Sequence, residues 1–302
     1  MSNTLKAVLL LNIAGLFWGG NMILGHYLKD YFGPWSIVST RLLIGGAIFL
    51  ILLIKSGELK KIRDITNWRI IIALAITGVI AFQFLIYYGL RLTTSTNGGL
   101  INSLTPLLTP LLTAIVVGIY FKEKLTYQHW LAAMVTVLGL AFILSEGQLS
   151  NLMVLEFNLG DLFILAAVCS WVAYSIIAKV AMKELTPLLI TSLGVLISLV
   201  VVVPLGLWET QYVQEPTLTL QSMLAVLFIS TGPTVLSLLF WNKGVLLIGP
   251  ARASLFLNTV PVYIIVINAL FLDVMPQQYQ LVGMLLIFAG SFYAGFKTSK
   301  PT

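Results

Sequence analysis

Long apolar runs separated by short polar joins fill this sequence from end to end. They fall near 5–27, 35–54, 69–90, 95–119, 127–145, 159–181, 187–207, 218–242, 247–271 and 278–296. Each approaches the roughly 20 residues a helix needs to cross a bilayer core. The runs are too long for barrel strands and do not alternate as such strands do. The pattern predicts an all-α membrane protein with about ten transmembrane helices. Pro34, Pro187 and Pro276 suit first helical turns, where a missing N–H costs nothing. Thr126 suits the cap of the fifth helix. Lys6 leads into the first run and no small-residue cleavage pattern follows it, so that run reads as a span and not as a removed signal peptide.

The pattern also repeats. Trp18 and Pro34 recur as Trp171 and Pro187, both displaced by 153 residues. Gly89 and Pro106 recur as Gly244 and Pro261, displaced by 155, and Glu123 and Gln128 return as Asp273 and Gln278, displaced by 150. Two copies of five helices each, an odd number, must cross the membrane in opposite senses. The expected organisation is two inverted five-helix repeats, 1–146 and 159–302, joined by a polar linker over 147–158. Inverted repeats with a polar seam between them are an architecture of many secondary transporters.

Composition agrees with a lipid solvent. Of the 302 residues 59% are hydrophobic and 9% charged, against roughly 25% charged in soluble proteins. The net charge of +6 lies in short joins and forms no stripe, which argues against a nucleic-acid partner. With the N-terminus in the cytoplasm, 14 of the 17 basic residues fall on the inner side. The positive-inside rule thus predicts an inner (cytoplasmic) membrane protein with both termini cytoplasmic. Cys169, the sole cysteine, lies in an apolar run and reads as a small buried residue.

Polar side chains in hydrocarbon are costly and usually face a bundle interior or a water-filled cavity. On the third helix Gln83 and Tyr87 are four apart and share a face. On the fourth, Asn102, Thr105, Thr109 and Thr113 form a stripe, with Pro106 and Pro110 removing backbone donors beside it. Pro233, Ser237 and Trp241 follow one face of the eighth helix, and Asn258 precedes Pro261 on the ninth. Trp18 and Asn21 on the first helix match Trp171 and Tyr174 on the sixth. Each has a plainer reading. Threonines bond their own backbone, tryptophans pack or meet lipid, and Gly15 with Gly19 lets helices approach closely. The amides of Gln83, Asn102 and Asn258 are the stronger site candidates, because one helix rarely satisfies all their hydrogen-bonding positions. Pro106, Pro110 and Pro261 are the candidate kinks. Arg41, about two turns into the second helix, either snorkels outward or meets a substrate carboxylate.

Several local motifs point to one family. They are Gly15–Leu16–Phe17–Trp18–Gly19, Arg41, Thr105–Pro106–Leu107, Glu123, Gly160–Asp161, Trp171, Thr259–Val260–Pro261, Gly283 and Gly290. In this order, and duplicated, they resemble the ten-helix EamA-type branch of the drug/metabolite transporter superfamily over nearly the whole chain. The resemblance implies export or exchange of small metabolites through a central cavity between two pseudosymmetric halves. It does not name the substrate.

No acidic residue falls in the middle of a predicted run; all 11 lie in joins or at span ends. That disfavours proton exchange through a membrane carboxylate and disfavours a cationic drug. It favours a small neutral or zwitterionic metabolite, amino acids among the candidates, held by amides, hydroxyls and aromatic faces. Efflux of amphipathic drugs and a non-selective pore are the alternatives. The sequence offers no nucleophile–base set, no metal-spaced cluster and no phosphate loop, so no enzyme, cofactor or metal site is expected. The expected partners are a small-molecule substrate and the lipid bilayer, with the protein a monomer or homodimer.

Overall fold

The computed structural model describes residues 2–93, 101, 105, 108–109, 127–154, 158–271 and 273–297. Among them every regular element is helical. The main helices are α1 (Asn3–Leu28), α2 (Pro34–Ser56), α3 (68–92), α4 (Tyr127–Leu144), α5 (Leu159–Ala181), α6 (Pro187–Tyr212), α7 (Leu220–Ile248), α8 (Pro250–Phe271) and α9 (Gln278–Lys297). Among the described residues seven helical stretches are long and apolar enough to cross a membrane, and Trp130–Leu144 adds a shorter apolar one. These helices lie on nine of the ten predicted runs. The remaining run, 95–119, is outside the described residues except for Ile101, Thr105, Leu108 and Thr109, all helical. Thr126 is likewise outside them.

Helix starts follow local chemistry. Pro34 and Pro187 open α2 and α6. Ser2 caps α1, Thr186 caps α6, and Asn158 with Asp161 makes a reciprocal capping box on α5. Pro276 does not open a helix: α9 begins at Gln278, where Gln280 reaches back to accept from the backbone N–H of Gln277. Two helices outrun their predicted ends. The seventh run continues to Tyr212, where Glu209 in the last turn finds a partner in α2, and the eighth to Ile248, where Lys179 donates to the last carbonyls.

Three helices are irregular. The middle of α3 (Ala75–Ala81) and of α7 (Ser230–Leu236) are π-helical, and Leu255–Thr259 in α8 is a 3-10 turn. Pro233 cannot donate to the carbonyl of Ile229, and the Thr234 hydroxyl does so instead at 2.8 Å. Pro261 follows the 3-10 turn and withholds the N–H that a regular α-helix would direct there. The two π segments are displaced from each other by 155 residues, the displacement that relates Gly89 to Gly244.

Packing repeats with the sequence. The α1·α7 contact sets Gly244 against Leu11; the α3·α5 contact sets Gly89 against Ile164. Phe17 lies on Gly232, and at the matching place Ser170 donates to the carbonyl of Thr77 at 2.8 Å. The equivalent helices α2 and α6 pack on each other in opposite directions, and so do α4 and α9. In the second pair Gly139 and Gly283 bring the two backbones together. Without a hydrophobic drive between helices in lipid, such small-residue approach is what packing uses. Because equivalent helices run antiparallel, the halves are inverted relative to each other. The α9 residue Ser291 donates to the carbonyl of Leu255 at the start of α8, so α9 ends on the face where α1 begins. We call that side the near face and the opposite side the far face.

Polar ties lock both ends of α2 and α6. At the far face Glu209, only 2% exposed, accepts from the backbone N–H of Ser36 at 2.8 Å in the first turn of α2. At the near face Thr186, the cap of α6, donates to Glu58 just beyond α2. Carboxylates placed at helix N-termini meet the positive end of the helix dipole. Lys179 of α5 donates to the carbonyls of Val245 and Leu246 in the last turn of α7, at 3.3 and 2.6 Å.

Candidate solute-binding site

Between the two π segments the chain builds an aromatic cluster. Trp18 of α1, Trp171 of α5 and Trp241 of α7 form a triangle with all three ring-centroid separations at 5.7 Å. Trp18 meets Trp171 edge-on, at 82°. Phe82, the first residue after the π turn of α3, packs on Trp171 at 5.1 Å, and Tyr174 packs on its own neighbour Trp171 at 5.2 Å. Such tilted and edge-on pairs each contribute about 0.5–1.5 kcal/mol beyond the area they bury. Gly78 makes this arrangement possible. A Cβ there would sit 2.2 Å from the Tyr174 ring, so only glycine lets the ring lie against the π turn.

A polar knot closes the near side of the cluster. Asn242 donates through Nδ2 to the Tyr174 hydroxyl and to Thr191 of α6, both at 2.7 Å. All three side chains are buried. The Thr191 hydroxyl spends its own proton on the carbonyl of Pro187 at 2.6 Å. It therefore accepts from the amide, which fixes the orientation of Asn242 and leaves Oδ1 without a donor among the described residues. Two indole nitrogens of the cluster, Nε1 of Trp171 and of Trp241, are also buried with no hydrogen-bond partner among those residues. An unmade hydrogen bond at a buried polar group costs about 1–3 kcal/mol. Three in one cluster mark it as the least satisfied part of the described interior.

The predicted residues divide into three groups. Trp18, Trp171, Tyr174 and Trp241 converge in this cluster. Asn21 lies one turn from Trp18 toward the far face, half-buried, and accepts from Arg41 Nη1 at 3.4 Å. Gln83 is buried beside Phe82. Ser237 is engaged in tying helices together, donating to the carbonyl of Ala14 at 3.2 Å. Asn258 is 2% exposed within the 3-10 turn of α8, and its Nδ2 has no partner among the described residues. Pro261 follows that turn. Asn102, Pro106, Pro110 and the side chain of Tyr87 lie outside the described residues. Asn242, Thr191 and Phe82 are the members that sequence reasoning did not single out. An apolar groove of about 440 Å³ opens elsewhere, between α1, α8 and α9, over the Asn12–Tyr263 hydrogen bond. It includes none of the predicted site residues. Among the described residues no group of three or more His, Cys, Asp or Glu could hold a metal ion.

The sequence matches the model of the EamA-like transporter family twice, over residues 5–145 and 158–296. The chain belongs to the EamA-like transporter family. A protein named "Uncharacterized transporter YyaM" from Bacillus subtilis (strain 168) is 30% identical over 276 residues, covering 91% of this chain and 88% of its own. YetK of the same organism, also named an uncharacterized transporter, is 23% identical, over 94% of this chain and 84% of its own. A solved crystal structure superposes with a TM-score of 0.75 at 19% identity, over 95% of this chain and 96% of that chain. At that identity it speaks for the fold alone. This EamA-like protein is thus a multi-pass membrane transporter built from two repeats, and the tryptophan triangle joins helices from both of them.

Proposed function

We propose that the protein is a secondary transporter, exporting or exchanging a small neutral or zwitterionic metabolite through a central site by alternating access. The observation that carries this reading is the tryptophan triangle with its unpartnered polar atoms, held between inverted halves at the two π turns. Midplane sites at broken helices between inverted repeats are the arrangement alternating access uses. Five-helix units over 1–146 and 159–302 would rock about that site. The positive-inside count assigns the near face to the cytoplasm of an inner membrane, with both termini there.

Counterflow in proteoliposomes tests the proposal. Vesicles are loaded with unlabelled neutral amino acids and exposed to labelled tracer. Transient accumulation of tracer above equilibrium is expected, reduced tenfold or more by Trp171→Ala. A pore would equilibrate tracer without overshoot. Equilibration of that kind, or the absence of any solute flux from a broad metabolite panel, would overturn the transporter reading.

A further inference from the structure

The three unpartnered atoms of the cluster differ in kind, and that difference carries chemical information. Trp171 Nε1 and Trp241 Nε1 can only donate. Asn242 Oδ1 can only accept. The rings bearing the two donors are neighbours in one cluster, 5.7 Å apart between centroids. The acceptor is on the residue after Trp241, and its own amide nitrogen is committed to Tyr174 and Thr191. Trp241 is 1% exposed, Asn242 0% and Trp171 8%. Water therefore does not settle these atoms from outside in this conformation. Gly194 is buried, lies one turn from Thr191 on the same face of α6, and among the described residues has nothing within 4 Å of the place a Cβ would take.

Resting on the transporter reading above, we propose that this cluster recognises a compact zwitterion. Its carboxylate takes the two indole N–H donors, and its ammonium donates to Asn242 Oδ1. The ring faces of Trp18, Phe82 and Tyr174 enclose the rest of the solute and support the cation by their negative faces. A solute with a carboxylate alone leaves Asn242 Oδ1 unsatisfied. A solute with an amine alone leaves both indoles unsatisfied. Sites that hydrogen-bond their ligand discriminate strongly against an analogue lacking the group, because the buried partner is then stranded. The aromatic walls also explain how a zwitterion crosses the hydrocarbon core without a carboxylate or a lysine in the cluster: each of its charges meets a dipole.

Tryptophan fluorescence of the purified protein in nanodiscs tests this, since three of the chain's seven tryptophans form the site. Three probe sets are titrated: neutral L-amino acids, the amines left by removing their carboxylate, and the carboxylic acids left by removing their amine. The amino acids are expected to bind, with the amines and the acids each about tenfold or more weaker. In Trp241→Phe the gap between amino acid and amine should shrink, while the gap to the acid persists. In Asn242→Leu the reverse should hold. Equal binding of all three sets to the unaltered protein would overturn the proposal. So would no binding of any amino acid. Trp171 N–H resting on the face of Trp18 would give the first of these results. Counterflow of a solute lacking either charged group would sink this inference and leave the transporter reading standing.

Discussion

Tyr174 and Asn21 occupy equivalent places in the two halves, three residues beyond Trp171 and Trp18. Their surroundings differ. On the near side Tyr174 is buried in a knot whose two hydrogen bonds measure 2.7 Å. On the far side Asn21 is half-buried and meets Arg41 over 3.4 Å, beyond the usual N–H···O range. The repeats thus preserve the scaffold of tryptophan, π turn and glycine contact while their polar groups have parted. Among the described residues the hydrogen bonds on the near side of the cluster are shorter and more deeply buried than the Asn21–Arg41 contact on the far side.

Substitutions can break that contrast. Gly78→Leu should have the largest effect. A side chain 2.2 Å from the Tyr174 ring cannot be housed, so the knot and the α3·α5 contact are lost together. A loss of about 3 kcal/mol or more is expected, seen as failure to recover a monodisperse protein in detergent. The counterpart Gly194→Ala, with nothing among the described residues within 4 Å of the added Cβ, should leave unfolding in detergent–SDS mixtures unchanged within about 0.5 kcal/mol. Asn242→Leu comes next. It removes two buried hydrogen bonds and should cost about 1–2 kcal/mol in the same titration. Asn21→Leu should cost less than half as much; equal costs would erase the contrast between the sides. Tyr174→Phe keeps the ring and drops one bond, for about 0.5–1 kcal/mol. Glu209→Gln should cost only about 0.5 kcal/mol, because the amide oxygen still accepts from Ser36 while the charge facing the helix dipole is gone.

Much of the architecture was legible because hydrocarbon imposes a length rule on every helix: the runs read at 35–54 and 159–181 are helices over 34–56 and 159–181. The meeting of Trp18 with Trp171 was legible in part, through the repeat and the shared depth, whereas Trp241 was singled out only by the face it shares with Pro233 and Ser237. Asn242 was hidden by its position. It stands at the edge of an apolar run and beside Lys243, where a span should end, yet α7 continues for another turn and a half because Lys179 supplies donors to its final carbonyls. Glu209 was hidden in the same way: it looked like a residue of a polar join and is buried because the first turn of α2 needs an acceptor. The π turns gave no signal. Their register depends on which carbonyls neighbouring helices take, such as that of Thr77 bonded by Ser170, and this is a tertiary property. Ser237 shows the opposite case, a polar position on a plausible face whose hydroxyl was claimed by the backbone of α1.

The Glu209–Ser36 and Glu58–Thr186 bonds clasp α2 and α6 at both tips. Two rods pinned at each end cannot scissor apart without drawing a pin. On the proposed alternating-access reading they would swing as a single strut, and the flexing that admits a solute would fall to the wide turns in the middle of α3 and α7.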